Sequence, residues 1–102
     1  MHHATFAGFR CHVRHSTYLV NNRTALILTD VEDGADVAVA TVNVPSEPLK
    51  PGEIILKTWS ENDGILEALT EAGIVADTGR RVPCGHTEGV ICRLLVRVPV
   101  FH

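Results

Sequence analysis

Aromatic side chains are scarce: three Phe, one Tyr and one Trp in 102 residues. Single-stranded nucleic acid is held largely by stacking successive bases on aromatic rings, and this chain has little to offer for that. Long apolar runs are also missing. The longest, VICRLLV and VPVF, are broken by Arg93, Arg97 and Pro99, far short of the ~20 apolar residues of a membrane helix. The opening MHHATFAGF has no apolar core of secretory length. No C-x-x-C pair occurs, which excludes the usual spacing of zinc modules. Three cysteines make an odd count; without an export signal they read as reduced thiols in a cytoplasmic protein. Excess positive charge is absent too. The formal charge of −3 argues against a sequence-independent duplex-DNA binder, whose affinity comes from basic residues neutralising phosphates. Repeats, linkers and low-complexity tracts are lacking, so residues 1–102 read as a single domain.

What is present is alternation. In TFAGFRCHVRH, Phe9, Cys11 and Val13 fall on one face and Arg10, His12 and Arg14 on the other, the period of a half-buried strand. Asn21-Asn22 and Asp33-Gly34 each separate two apolar runs and predict hairpin turns, because Asn and Gly tolerate positive φ. VAVATVNV is apolar on both faces, as a central strand is. PSEPLKPG is a loop, and EIILKTW a fourth strand. The period then changes. SENDGILEALTEAGIV predicts a helix, with a Ser60–Asp63 capping box. Its apolar stripe is Ile65, Leu66, Leu69 and Ala72. Gly73 is placed to close it in the left-handed conformation, with Ile74 packing back on Leu69. Two further strands, TGRRVPC and VICRLLVRV, flank GHTEG. The expectation is a two-layer α+β domain of order ββββαββ, with one mostly antiparallel sheet of five to six strands and one helix on one face. A crossover return after the helix, giving a mixed sheet, is the alternative.

VPCGHTEGVIC resembles a site, because it gathers Cys84, His86, Glu88 and Cys92. The spacing is C-x-H, then five residues, then C, which matches no zinc module. His86-Thr87-Glu88 and Pro83-Cys84 echo the zinc-deaminase strings, but in reversed order and without the second cysteine. A Cys84–His86 nucleophile lacks a third group to orient the histidine. A hairpin explains the stretch better. Val90, Cys92, Leu94, Val96 and Val98 share one face, Cys84 follows Val82, and a loop centred on Thr87 would set Cys84 opposite Val90. Only His86 and Glu88 then project, at the hairpin tip. No cofactor and no metal is expected.

Charge is distributed unevenly. Asp63, Glu67 and Glu71 lie four apart on the expected helix with Glu61 near its start, and no Lys or Arg occurs between Trp59 and Gly79. Like charges at that spacing repel by a few tenths of a kcal/mol per pair. Such a stripe is either a solvated face or an acidic docking surface for a basic partner. A second acidic group, Asp30, Glu32, Asp33 and Asp36, surrounds the Asp33-Gly34 turn without a calcium-loop pattern. Arg10 and Arg14 of the first strand and Arg93 and Arg97 of the last would make a basic face if those strands were neighbours. Ile27, Ala38, Ala40, Val42 and Ile55 leave apolar residues that one helix cannot cover; a homodimer could bury them, as could a curled sheet.

RTALILTDVEDGADVAVATVNVP followed by TWSENDGILEALTEAGIV resembles a family of small uncharacterised proteins from bacterial plasmids and prophages, over roughly Phe6 to Leu95. The resemblance carries no catalytic motif. It implies a cytoplasmic accessory protein of a mobile genetic element, of a kind that often binds and blocks host proteins, defence nucleases included. The functional expectation is therefore a non-enzymatic binding protein, such as an anti-CRISPR-like inhibitor, acting through Glu61, Asp63, Glu67 and Glu71. A nucleic-acid or anionic-ligand module using Arg10, Arg14, Arg93 and Arg97, or a Cys/His metal-binding protein, is the alternative.

Overall fold

The computed structural model describes residues 2–97. Five strands precede the helix: β1 (His3–Phe6), β2 (Phe9–Thr17), β3 (Thr24–Asp30), β4 (Asp36–Val39) and β5 (Glu53–Leu56). A 3₁₀ turn (Ser60–Asn62) leads to α1 (Ile65–Glu71), followed by β6 (Val75–Cys84) and β7 (Thr87–Leu94). The α+β class is as expected; the single sheet is not. There are two sheets, a four-stranded meander β1-β2-β3-β4 and a three-stranded β5-β7-β6. Every strand pair is antiparallel, so the mixed-sheet alternative is not taken. Val98, expected on the last strand, lies outside the described residues.

The extra strand comes from Ala7-Gly8. Both residues have positive φ (53° and 82°), which fits a two-residue hairpin turn matched to strand twist. Alanine rarely adopts that conformation, so one expected strand is in fact the β1–β2 hairpin. Hairpins form at Asn21-Asn22 and at Asp33-Gly34, but each loop is longer than the expected pair: Tyr18 N–H donates to Arg23 O and Asp30 N–H to Ala35 O, so Leu19-Val20 and Val31-Glu32 belong to the turns and not to the strands. Asn22 has φ 56°, and the Gly34 N–H donates to the Asp30 carbonyl at 2.9 Å.

The two sheets join where β4 continues past its end. Lys57 N–H donates to Ala40 O (2.8 Å) and Val42 N–H to Ile55 O (3.0 Å), around a Thr41–Leu56 bridge. Curling at this junction makes two cores. The main one gathers Cys11, Val13, Leu26, Leu28, Ala38, Ala40, Ile54, Leu56, Ile65, Leu69, Ile74 and Cys92. A smaller one, Ile55, Val82 and Ile91, lies on the other face of the second sheet under Val42, Val44 and Leu49 of the proline-bearing loop. Ala38, Ala40 and Ile55 are thus buried within the chain, while Val42 and Ile27 are half-buried. Asn62, fully buried, pins the junction: its Nδ2 donates to Val39 O (2.7 Å) and Lys57 O (3.0 Å).

The helix is shorter than expected. Gly64 sits at φ 89° and breaks the segment, Ser60 at φ 60° is no cap, and α1 has no side-chain cap bond. The capping box therefore does not form. The close does: Gly73 N–H donates to Thr70 O (3.0 Å) and Ile74 N–H to Leu69 O (2.9 Å), the paired bonds of a Schellman motif. α1 contacts β1 and β6 and lies between them. Among the described residues no helix is long and apolar enough to cross a membrane.

Candidate docking surface

α1 turns Ile65 and Leu69 into the main core and leaves Glu67, Thr70 and Glu71 exposed. Glu67 and Glu71 are one turn apart on that face. With Leu66, Thr70 and Asp77 they line a shallow depression of about 530 Å³ between the helix and β6. Its lining surface is mostly apolar, and three of its lining residues are carboxylates.

The expected four-residue stripe divides. Gly64 separates Asp63 from α1, so Asp63 is exposed but not in helical register with Glu67. Glu61, in the 3₁₀ turn, is held by the Lys57 Nζ at 2.6 Å. That hydrogen bond chiefly pulls its carboxyl down to about 2. Asp77 is gripped by both Arg81 terminal nitrogens (3.0 and 3.1 Å) and by the Gly79 N–H (2.8 Å), which together lower its pKa. Glu53 accepts from the Lys50 N–H (2.8 Å) and pairs with Arg80, again lowering the carboxyl. Glu67 and Glu71 have no such cation: among the described residues neither takes part in an ion pair.

The basic residues are not assembled into one face. Arg10 and Arg14 lie on β2, and Arg14 Nε donates to Thr29 Oγ1 at 2.9 Å. Arg93 lies on β7 opposite Glu53, in the other sheet, and β2 and β7 are not paired. Arg97 lies beyond the end of β7, with its carbonyl 2.9 Å from His2 Nε2. Arg80 and Arg81, passed over in the sequence, are already engaged by Glu53 and Asp77.

In VPCGHTEGVIC the turn is tighter than expected. Cys84 pairs with Thr87, Val82 with Gly89 and Arg81 with Val90, so the loop is Gly85-His86 alone and Cys84 does not face Val90. His86 and Glu88 are exposed, and Thr87 Oγ1 donates to Cys84 O (2.7 Å), fixing the tip. The cysteines separate: Cys92 lies in the main core and Cys84, half-buried, against the smaller one. All three thiols are free. Burial pushes Cys92 up to about 12, with the nearby Asp77 charge adding to it, and burial likewise raises Cys11. Among the described residues no three His, Cys, Asp or Glu side chains come together in an arrangement able to hold a metal ion.

One exposed apolar feature gives no signal in the sequence. Leu19 (97 % exposed) and Val20 (81 %) stand at the β2–β3 hairpin tip. The base of that tip is tied down by Tyr18 Oη–Thr41 Oγ1 (2.9 Å), Asn21–Asn43 (3.1 Å) and Arg23 Nη1 to Val44 O (2.8 Å). The apolar character of Leu19 and Val20 suggests strand continuation, which hides the loop.

Comparison of the chain with protein-family models, with curated proteins and with solved structures gives no match in any of the three.

Proposed function

We propose that this chain is a non-enzymatic binding protein that docks through Glu67 and Glu71 on a basic surface of another protein. The observation that carries the reading is the contrast among its carboxylates. Among the described residues Glu53, Glu61 and Asp77 are each held by a Lys or Arg of the same chain; of the carboxylates without such a cation, Glu67 and Glu71 stand one helical turn apart beside an apolar depression. A partner cation would find those two charges uncompensated, and Leu66 beside them would supply buried apolar area. Spaced carboxylates on a rigid helix also imitate the phosphates that a nuclease surface is built to hold. The resemblance to plasmid and prophage proteins supports a cytoplasmic accessory protein that blocks a bacterial host protein, as an anti-CRISPR-like inhibitor does. Reversing both charges in E67K/E71K tests the reading: partner capture is lost while the circular dichroism spectrum stays that of the parent.

A further inference from the structure

A bulge in β6 shapes a recess at one end of the second sheet. The β6–β7 register shifts between Asp77 and Arg81, so Thr78-Gly79-Arg80 leave the ladder, with Gly79 at φ 85°. Thr78 Oγ1 donates to Ile91 O (2.6 Å) and accepts the Arg80 N–H (3.3 Å), while the Gly79 N–H donates to Asp77 Oδ1 (2.8 Å). A bulge re-aims the side chain that it carries. Here Arg80 reaches across β7 to Glu53 on β5. Arg93 of β7 stands directly opposite Glu53. The Lys50 N–H donates to the other Glu53 oxygen (2.8 Å), which fixes the turn that bears Lys50. Lys50, Arg80 and Arg93 thus line one recess of about 510 Å³.

We infer that this recess is a binding site for the phosphate group of a small phosphomonoester. The charges carry the inference. The Glu53 side chain is 8 % exposed and that of Arg80 45 %, so the carboxylate lies beneath and the guanidinium faces solvent. Arginine has five N–H donors in a planar fork. Glu53 engages Arg80 through Nη2, which orients the guanidinium and leaves donors for a second anion. Lys50 and Arg93 are in no ion pair among the described residues. Asp77, also in the lining, is neutralised by Arg81. Three cations against Glu53 leave two positive charges in excess, on a chain whose formal charge is −3.

Two charges match a phosphomonoester dianion, which forms above a pKa of about 6. A single carboxylate would leave one of them unmatched. A nucleic-acid backbone needs cations continued along a track, and Arg10 and Arg14 lie in the other sheet. Pro51 supplies apolar surface for the group that bears the phosphate. The recess shares only Asp77 with the depression beside α1, so the inference does not depend on the docking role of Glu67 and Glu71.

Titration of nitrogen-15-labelled protein with inorganic phosphate, ribose 5-phosphate and sulfate at low salt tests the site. Amide shifts at Lys50, Gly79, Arg80 and Arg93 should saturate, with a Kd of about 1 mM for inorganic phosphate and at least threefold tighter for ribose 5-phosphate. From about pH 5 to about pH 7.5, binding of ribose 5-phosphate should strengthen at least fivefold as its dianion forms. Sulfate, doubly charged throughout, should not follow that rise. K50Q/R93Q retains the Arg80–Glu53 pair and should weaken phosphate binding at least tenfold with an unchanged circular dichroism spectrum. R10Q, in the other sheet, should bind as the parent does. No saturable shift at these residues up to about 20 mM phosphate overturns the inference, as does an affinity for ribose 5-phosphate that does not rise with pH. Undiminished binding by K50Q/R93Q overturns it too, and so does a twelve-nucleotide single strand that occupies the same residues more tightly than ribose 5-phosphate.

Discussion

Asn62 offers the sharpest test of how the two sheets are joined. Its Nδ2 reaches the carbonyls of Val39 and Lys57, so one amide ties the end of β4 to the segment leaving β5. Asn62→Ala removes two hydrogen bonds worth about 1 kcal/mol each, and each part-buried carbonyl left without a donor costs about 1–3 kcal/mol in its place. One contribution runs the other way: Asn62 Oδ1 is buried without a partner, and its deletion relieves a cost of similar size. The net loss is about 2–3 kcal/mol, a fall in Tm on the order of 10–20 °C for a chain of this size. Asn62→Asp separates bonding from volume. It keeps the shape but turns a carboxylate toward two carbonyls, and should destabilise more than Asn62→Ala. Urea unfolding followed by Trp59 fluorescence gives both values. An Asn62→Asp variant as stable as the parent, or an Asn62→Ala variant within about 0.5 kcal/mol of it, would refute the junction described above.

Other consequences are as direct. Cys92 should resist alkylation in the folded protein at about pH 8, because burial pushes its thiol up to about 12, while the half-buried Cys84 reacts first and all three react in urea; rapid native labelling at Cys92, located by peptide mass, would remove it from the core. Glu61 should titrate near 2 by carbon-detected NMR, and K57Q should return it toward 4.5. Its folded pKa lies below the unfolded one, so the stability it contributes is complete above about 4.5 and is lost as pH falls through about 2; a midpoint unmoved by K57Q would contradict the pairing. Gly89→Ala should cost about 1–3 kcal/mol by overpacking, since an added Cβ would stand 2.7 Å from the Ile55 Cγ2 and 3.3 Å from Leu56 O; chemical denaturation measures it, and a neutral result would mean the two strands are not so close.

Much of the fold was legible in local chemistry. Asn22 and Gly34 marked their hairpins because few other residues accept positive φ, and Gly73-Ile74 marked the helix close for the same reason. Ala7 gave no such signal, so the first hairpin was hidden. Gly64 was hidden too: a glycine inside a helical pattern costs only about 1 kcal/mol, and nothing local shows that it will break the helix and carry Asp63 off the stripe. The division into two sheets depends on Ala40–Val42 passing from one ladder to the other, a long-range event that alternation does not encode. For the candidate surface, residue type and spacing located Glu67 and Glu71. The neutralisation of Glu61 by Lys57, the arrival of Asp77 beside them and the separation of the arginines between two sheets all follow from tertiary packing.

The docking claim is tested most directly by quantitative capture from bacterial lysate, comparing the parent chain, E67K/E71K and a Glu61→Lys control, at low salt and at about 0.5 M salt. The account predicts a specific protein retained by the parent and by the Glu61→Lys control. It predicts at least tenfold less of that protein on E67K/E71K, and weakened capture at high salt, as exposed charge pairs require. Equal retention of the same protein by E67K/E71K, or no protein that the parent retains and the double variant loses, would contradict it.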